Sequence, residues 1–156
     1  MEISDHGKKK IKDWEGSRAR PYRDAGGNLT IGVGHLLTKS ELSSGKLRIR
    51  GQAIRFATGL SDQQIIDLLS RDLAVATAGV NEDVEVALNQ NQFDTLVSFC
   101  FNVGLAAFQN STLLRLLNQG NYEAVPAQLR RWVRCNGKVV QGLIKRREHE
   151  IELWNA

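Results

Sequence analysis

The chain has 156 residues, a length that suits one domain or two small lobes sharing a core. Hydrophobic residues make up 42% and charged residues 24% of it, which excludes a disordered chain and a disulfide scaffold. It has no run of eighteen apolar residues, and no apolar stretch follows the lysines near its amino end. We therefore expect neither a membrane span nor a signal peptide, and a protein made in the cytosol.

The net charge of +4 is unevenly distributed. Residues 1–60 carry twelve Lys and Arg against six Asp and Glu, whereas residues 61–156 carry nine against eleven. A basic front segment attracts anionic polymers such as nucleic acid, a membrane surface or a bacterial envelope, or it simply aids solubility. The two cysteines have no metal-ligand neighbours at useful spacing, and Cys100 is expected in the core.

The first elements are a helix and a hairpin. Ile11 and Trp14 mark the apolar side of an amphipathic helix that ends near Glu15. Alternating apolar residues over 29–33 then predict a strand, and the preceding "DAGGN" predicts a turn, so Asp24 falls in the first arm of a hairpin. Residues 40–60 predict a short strand at Leu47 and Ile49, with loop around it.

The rest of the chain is predicted to be helical. Ser61 and Gln64 form a capping-box pattern that opens a helix over residues 61–79, and the apolar run 96–103 indicates a buried central helix. Pro126 should bend or delay a helix over residues 121–134. A last helix is predicted to have Arg146 and Glu150 on its solvent-exposed face. Polar caps begin three of these helices: Asn89 or Asn91, Ser111 and Asn121.

These elements predict an α+β fold that is mostly helical, in one domain over residues 1–156. A small hairpin lobe covers about residues 13–60, and the helix over about 61–79 connects it to a helical lobe over about 80–156. The N-terminal helix is expected to pack with the helical lobe.

The glycine-rich stretch 14–38 fits neither a phosphate loop nor a metal site. "GGNLTIGVGH" lacks the lysine and hydroxyl that end a Walker loop and the third glycine of a dinucleotide fingerprint. His35 has no second histidine at a ligating spacing. We expect no metal and no cofactor.

Two carboxylates and a hydroxyl in this stretch suit acid/base chemistry. Loss of water at the helix end would raise the pKa of Glu15 and keep its proton, whereas Asp24 beside the turn is expected to be wetter and ionised. Strand alternation points the hydroxyl of Thr30 away from Leu29, and Gly32 on the same face would leave room for a substrate.

Cleaving a glycosidic bond needs an acid and a carboxylate on opposite faces of the sugar. If Asp24 and Thr30 hold a water, the carboxyl groups should stand roughly 6.5 to 9.5 Å apart and the anomeric configuration should invert. The competing interpretation is that Glu15 is an ordinary helix-end acid and Asp24 an ordinary turn residue.

Four collinear segments carry a resemblance to a known family. Glu15, Asp24 and Thr30 have the spacing of the E-D-T signature and are followed by "TIGVGHLLT"; the other segments are "LNQNQFDTLVSFCFNVG", "FQNSTLLRLLNQGNY" and "LRRW…GLIKRREHEIELW". The chain thus resembles the phage-type lysozymes of the T-even endolysin family, glycoside hydrolase family 24. That resemblance implies a two-lobed lysozyme-like fold and hydrolysis of the β-1,4 bond between N-acetylmuramic acid and N-acetylglucosamine in peptidoglycan.

The resemblance also implies roles for individual residues. Glu15 would be the general acid, and Asp24 with Thr30 would position the attacking water. His35 would pair with Asp72 and stabilise the lobe junction, mainly when protonated. The matching positions that line the saccharide cleft are Leu36, Phe101, Asn102 and Ser111, and Arg146 or Arg147 resembles the arginine that approaches the catalytic glutamate.

The same resemblance implies a monomer whose partner is bacterial peptidoglycan, with no stable membrane anchor and no nucleic acid. Such a protein stays in the host cytoplasm until a separate membrane-permeabilising protein releases it. Two alternatives stay open: a lytic transglycosylase, against which Asp24 and Thr30 argue, and a basic binding module without catalysis, favoured by "KKKIK" and "RRWVR".

Overall fold

The computed structural model describes residues 1–156 and is mostly helical. It divides into two compact units, one of residues 8–72 and the other of residues 1–7 with 73–156. The helices are α1 (Asp5–Glu15), α2 (Lys39–Ser44), α3 (Asp62–Asp72), α4 (Ala74–Asp83), α5 (Gln90–Val103), α6 (Leu105–Gln109), α7 (Thr112–Asn118), α8 (Val125–Leu129) and α9 (Gln141–Asn155). The strands are β1 (Arg18–Arg23), β2 (Leu29–Gly32), β3 (His35–Leu36), β4 (Lys46–Ile49), β5 (Gln52–Arg55), β6 (Arg134–Cys135) and β7 (Lys138–Val139).

The predicted hairpin is part of a three-stranded antiparallel sheet in the order β1-β2-β3. Tyr22 pairs with Thr30 across β1 and β2, and Thr30 pairs with Leu36 across β2 and β3. The predicted strand ends one residue early, because Gly32 adopts a φ of 63° and the chain turns there. Asp24 lies in the turn rather than in the first arm, which ends at Arg23.

Residues 40–60 are more regular than predicted. The strand at Leu47 and Ile49 is confirmed as β4, and it pairs with β5, which was predicted as loop. Helix α2 was also missed; Thr38 and Glu41 form a capping box at its start. Their Thr-x-x-Glu spacing is a sequence signal for that cap.

The predicted helix over 61–79 begins as expected but is not continuous. Gln64 Oε1 accepts a hydrogen bond from Ser61 N at 2.9 Å, and Gln64 N donates to Ser61 Oγ at 3.1 Å. The regular helix breaks at the fully buried Leu73, which separates α3 from α4.

The unit formed by residues 1–7 and 73–156 has α5 as its buried helix, as predicted. Every residue from 93 to 100 is buried, including the Cys100 thiol, so the buried stretch lies earlier than the predicted run 96–103: Phe101 and Val103 are half-buried and Asn102 is exposed. Burial and the neighbouring charge of Asp83 raise the pKa of that thiol to about 11. The predicted caps are confirmed at Asn89, which bonds to Gln92, and at Ser111 and Asn121.

The helix predicted over 121–134 is shorter. A single 3₁₀ turn at 122–124 precedes α8, and Pro126 lies in the first turn of α8, where a missing N–H costs little. The delay expected from Pro126 is therefore confirmed. The helix ends at Leu129, and the β6–β7 hairpin, which the sequence interpretation missed, follows it.

The last helix is confirmed, but the prediction that Arg146 and Glu150 are exposed to solvent is wrong. Arg146 is 6% exposed and Glu150 is fully buried, so this charged pair lies in the core. No helix of the structure combines the length and apolar character needed to cross a membrane.

Candidate active site

Glu15 is the last residue of α1, and its side chain is exposed. The expected removal of water from this carboxyl group is therefore wrong. Gly16 N donates to Lys12 O at 2.9 Å and continues the backbone bonding of the helix by one residue. The acid is thus presented at the junction between α1 and β1.

Asp24 is fixed by the turn between β1 and β2. Its Oδ1 accepts a hydrogen bond from Asn28 N at 2.8 Å, and its backbone N donates to Asn28 O at 2.9 Å. Gly27 N also donates to Asp24 O at 2.9 Å. The half-buried carboxylate is therefore held by the local backbone.

Thr30 is bonded to the same asparagine. Its Oγ1 donates to Asn28 O at 3.0 Å, and the residue is 2% exposed. Asn28 thus connects the two residues, since its N–H binds Asp24 and its carbonyl binds Thr30. This arrangement directs the Thr30 proton away from any further partner and leaves the oxygen to accept.

Gly32 does not leave room for a substrate, contrary to expectation. A side-chain carbon at this position would lie 3.6 Å from Leu68 Cδ2 and 3.8 Å from Ile65 Cγ2. Both are residues of α3, and Gly32 is itself buried against them. The glycine serves the packing of β2 on α3 and the turn that follows.

His35 lies between two carboxylates. Its Nδ1 is 2.8 Å from Asp72 Oδ2 and its Nε2 is 2.9 Å from Glu41 Oε1. Burial of the imidazole opposes its charge, but the hydrogen bonds and charges of Asp72 and Glu41 outweigh that effect and raise the pKa of His35. Glu41 was missed by the sequence interpretation, although its capping pattern with Thr38 was visible.

The four predicted saccharide-binding residues are divided between the units. Leu36 is 54% exposed on β3, in the unit of residues 8–72. In the other unit, Asn102 Oδ1 accepts from Arg147 Nη2 at 2.6 Å, and Phe101 is half-buried on α5. Ser111 is 6% exposed and caps α7, since its Oγ accepts from Leu114 N at 3.1 Å.

A pocket of about 290 Å³ adjoins Ser111 within its own unit. Besides Ser111, it is lined by Asn110, Thr112, Gln128, Arg131 and Trp132. Trp132 contacts Phe99 edge to face, with ring centroids 5.4 Å apart. Sequence reasoning did not single out Gln128 or Trp132, because they belong to a segment predicted as one continuous helix.

A buried ionic network supports Asn102 from α9. Arg147 Nε lies 2.7 Å from Glu150 Oε1, and Ser98 Oγ donates to Glu150 Oε2 at 3.1 Å. Arg146 Nη2 donates to Ser98 Oγ at 3.0 Å. Complete burial raises the pKa of Glu150, and the charges of Arg147 and Arg146 act against that rise.

A family model described as Phage lysozyme matches residues 12–150. This chain belongs to the phage lysozyme family. It is 36% identical over 154 residues to an endolysin of Salmonella phage P22, covering 99% of this chain and 98% of the relative. It is 37% identical to an endolysin of Bacillus phage PZA, but spans 56% of that relative's length.

Solved structures support the same assignment. A P22 lysozyme variant superposes with a TM-score of 0.83 at 34% identity, covering 100% of this chain and 99% of the other. The muramidase domain of SpmX from Asticaccaulis excentricus superposes with a TM-score of 0.79 at 34% identity, covering 99% and 98%. The predicted lysozyme-like fold is therefore confirmed, as is the prediction of an enzyme: this phage lysozyme is a peptidoglycan hydrolase.

Proposed function

We propose that this phage lysozyme is an endolysin that hydrolyses the β-1,4 bond between N-acetylmuramic acid and N-acetylglucosamine, with inversion, and so lyses bacterial cells. The T-even pattern of glycoside hydrolase family 24 motivates this assignment, because Glu15, Asp24 and Thr30 have its spacing. The observation that carries the proposal is the turn in which Asn28 binds both Asp24 and Thr30.

That turn suits the activation of a water molecule. The Thr30 hydroxyl donates its proton to the hydrogen bond with Asn28 O, so the hydroxyl oxygen would accept a hydrogen bond from water. Asp24 would accept the water's other hydrogen bond and take that proton as the water attacks, and the water's lone pair would face the anomeric carbon. Attack from this side expels the leaving oxygen on the opposite face, which is the geometry of inversion.

Glu15 is proposed as the general acid that protonates the leaving oxygen. Its exposed position at the end of α1 keeps the carboxyl group accessible to a glycan. Because the side chain is exposed, we propose that the bound sugar itself displaces the water around Glu15.

Leu36, Phe101, Asn102 and Ser111 are proposed to bind the saccharide. The contact between Arg147 and Asn102 would fix the orientation of the amide, so that it meets an acetamido or hydroxyl group in one geometry. For Ser111, both partners of the hydroxyl are already in α7 and α6, so its contribution is expected to come from the backbone it holds.

Residues 1–156 are proposed to work as one monomeric lysozyme domain. Its proposed partner is peptidoglycan and not nucleic acid. We propose that it reaches the wall from the host cytoplasm after a separate protein has permeabilised the membrane.

The test compares Glu15→Gln with Asp13→Asn, a control on the same helix whose carboxylate pairs with Lys9 at 3.1 Å. Glu15→Gln should lower the rate of turbidity loss of a wall suspension by about 10²- to 10⁴-fold with unchanged helical circular dichroism, because it removes a general acid. Asp13→Asn should lyse normally. Normal lysis by Glu15→Gln would refute the proposal.

The products distinguish hydrolysis from the transglycosylase alternative. Hydrolysis leaves a reducing N-acetylmuramic acid, whereas a transglycosylase leaves an anhydro sugar whose mass is lower by one water. Proton NMR of the fresh product should show the α-anomer if the reaction inverts. Anhydro fragments or a β-anomer would contradict the proposed role of Asp24 and Thr30.

A further inference from the structure

The unit of residues 8–72 contains a basic pocket, separate from the pocket at Ser111 in the other unit. It has a volume of about 540 Å³, and we call it the hairpin pocket because it lies at the β4–β5 turn. Its lining contains four cationic side chains and one carboxylate: Lys8, Arg48, Arg50, Gly51, Asp67, Ser70 and Arg71. None of these residues takes part in the proposed hydrolysis.

Two of the arginines are oriented by backbone carbonyls. Arg48 Nη1 donates to Gly51 O at 2.9 Å, and Arg71 Nη1 donates to Arg48 O at 2.8 Å. Each guanidinium has five N–H groups, so a single bond of this kind fixes its direction and leaves further donors for a ligand. Binding an anion therefore requires little additional ordering of these side chains.

Arg50 occupies a position that normally selects against arginine. It lies with Gly51 in the tight turn between β4 and β5, and its φ is 50°. Asn, Asp or Gly is preferred there, since a side chain as large as arginine is strained at positive φ. The side chain is 78% exposed, and its Nη1 lies 4.0 Å from Asp67 Oδ2.

The unit that contains the pocket carries an excess of positive charge, although three carboxylates lie close to its arginines. Asp67 is the one acid in the lining, while Glu41 and Asp72 approach Arg71 Nη2 at 3.6 Å and 3.5 Å. Those two carboxylates also contact His35, whose raised pKa favours the positive imidazolium. The whole unit carries thirteen Lys and Arg against seven Asp and Glu.

We propose that the hairpin pocket binds phosphate groups of a phosphodiester polymer attached to the bacterial wall, of the poly(glycerol phosphate) type. Arginine forks match the geometry of phosphate oxygens and form charge-assisted hydrogen bonds to them. The identity of the polymer rests on the proposed function: residues 8–72 also contain Glu15, Asp24 and Thr30, so a bound polymer would hold the catalytic unit near its glycan.

The test measures binding of the full chain to poly(glycerol phosphate), to inorganic phosphate and to a single-stranded oligonucleotide by isothermal titration calorimetry. Arg50→Gly removes one cation and suits the left-handed turn, so the fold should be kept. Arg55→Gln is the matched control, because it removes the same charge from β5 outside the lining.

Arg50→Gly should weaken polymer binding about tenfold, the effect of losing one charge-assisted hydrogen bond, and Arg55→Gln less than about twofold. Equal loss in both variants would mean unspecific attraction and would overturn the site. Inorganic phosphate bound as tightly as the polymer, or tighter binding of the oligonucleotide, would overturn the wall polymer as its ligand. The calorimetric measurement does not depend on catalysis. If Glu15→Gln lyses normally and the proposed function fails, the binding result is therefore still interpretable.

Discussion

His35 Nδ1 lies 2.8 Å from Asp72 Oδ2, and this contact ties β3 to α3 within the unit of residues 8–72. The other ring nitrogen lies 2.9 Å from Glu41 Oε1 in α2. A neutral imidazole has one N–H and donates to a single carboxylate, whereas the imidazolium donates to both. Protonation therefore connects three elements of this unit instead of two.

The first prediction concerns the pH dependence of stability. The raised pKa of His35 means that its contribution is fully present below about pH 6.5 and is lost as pH rises through the folded-state pKa. For Glu41, burial opposes ionisation, but hydrogen bonds from Thr38 and His35 and the charges of His35 and Arg71 lower its pKa. Its contribution is present above about pH 4.3 and is lost as pH falls through that lowered value.

Urea denaturation between about pH 4 and pH 8 should therefore give the highest unfolding free energy near pH 4.5 to 6.5. His35→Gln should lower that maximum by about 2 kcal/mol, the effect of losing charge-assisted hydrogen bonds, and should flatten the decline on the alkaline side. An unchanged alkaline slope in His35→Gln would show that other groups cause it.

The second prediction tests whether activity requires the hydroxyl group of Thr30 or the volume of its side chain. Thr30→Val keeps the β-branched volume but removes the acceptor proposed for the attacking water. Asn28 O loses one of its two donors and keeps the hydrogen bond from Asp24 N. We expect kcat on wall glycan to fall about 10²-fold or more, while Thr30→Ser retains most activity. A Ser variant as inactive as the Val variant would indicate that packing, not the hydroxyl, is required.

Local patterns in the sequence predicted the helix starts well, because a capping interaction involves residues within four positions of one another. Ser61 has its predicted partner Gln64, and Asn89, one of the two predicted caps, forms a capping box with Gln92. Burial was harder to predict, since it depends on distant residues. Arg146 and Glu150 have the spacing of a surface ion pair, but both lie in the core, where each forms a hydrogen bond with Ser98 of α5.

The candidate site shows the same limit. The E-D-T spacing made Glu15, Asp24 and Thr30 the candidates, but alternation alone wrongly predicted an open face at Gly32. The side chains of α3, more than thirty residues away along the chain, cover that face instead. The second carboxylate at His35 was also missed, although Glu41 follows His35 closely in the sequence and its capping pattern with Thr38 was visible.

The third prediction compares two glutamates on α9. Glu150 is fully buried against Arg147 and Arg146, so Glu150→Ala leaves uncompensated buried charge and should destabilise the protein by about 3 to 5 kcal/mol. Glu148 pairs with Arg130 at 2.8 Å on the surface, and Glu148→Ala should cost less than about 1 kcal/mol. Thermal unfolding of both variants provides the comparison, and similar losses would show that the buried network stabilises the protein no more than the surface pair does.

The fourth prediction uses two helical glycines that should respond to alanine with opposite sign. A side-chain carbon at Gly7 would lie 2.6 Å from Asp94 Cγ, and Asp94 cannot move freely because it accepts hydrogen bonds from Ser4 and Gln90. Gly7→Ala should therefore lower the unfolding free energy by about 1 to 3 kcal/mol through overpacking.

The control is Gly142, in the first turn of α9, where a side-chain carbon would have no atom within 4 Å. Gly142→Ala should raise the unfolding free energy by about 0.4 to 1 kcal/mol, because it reduces the conformational freedom of the unfolded chain. Paired urea titrations measure both changes, and a stabilised Gly7→Ala would mean that Asp94 can leave its hydrogen-bonded position at little cost.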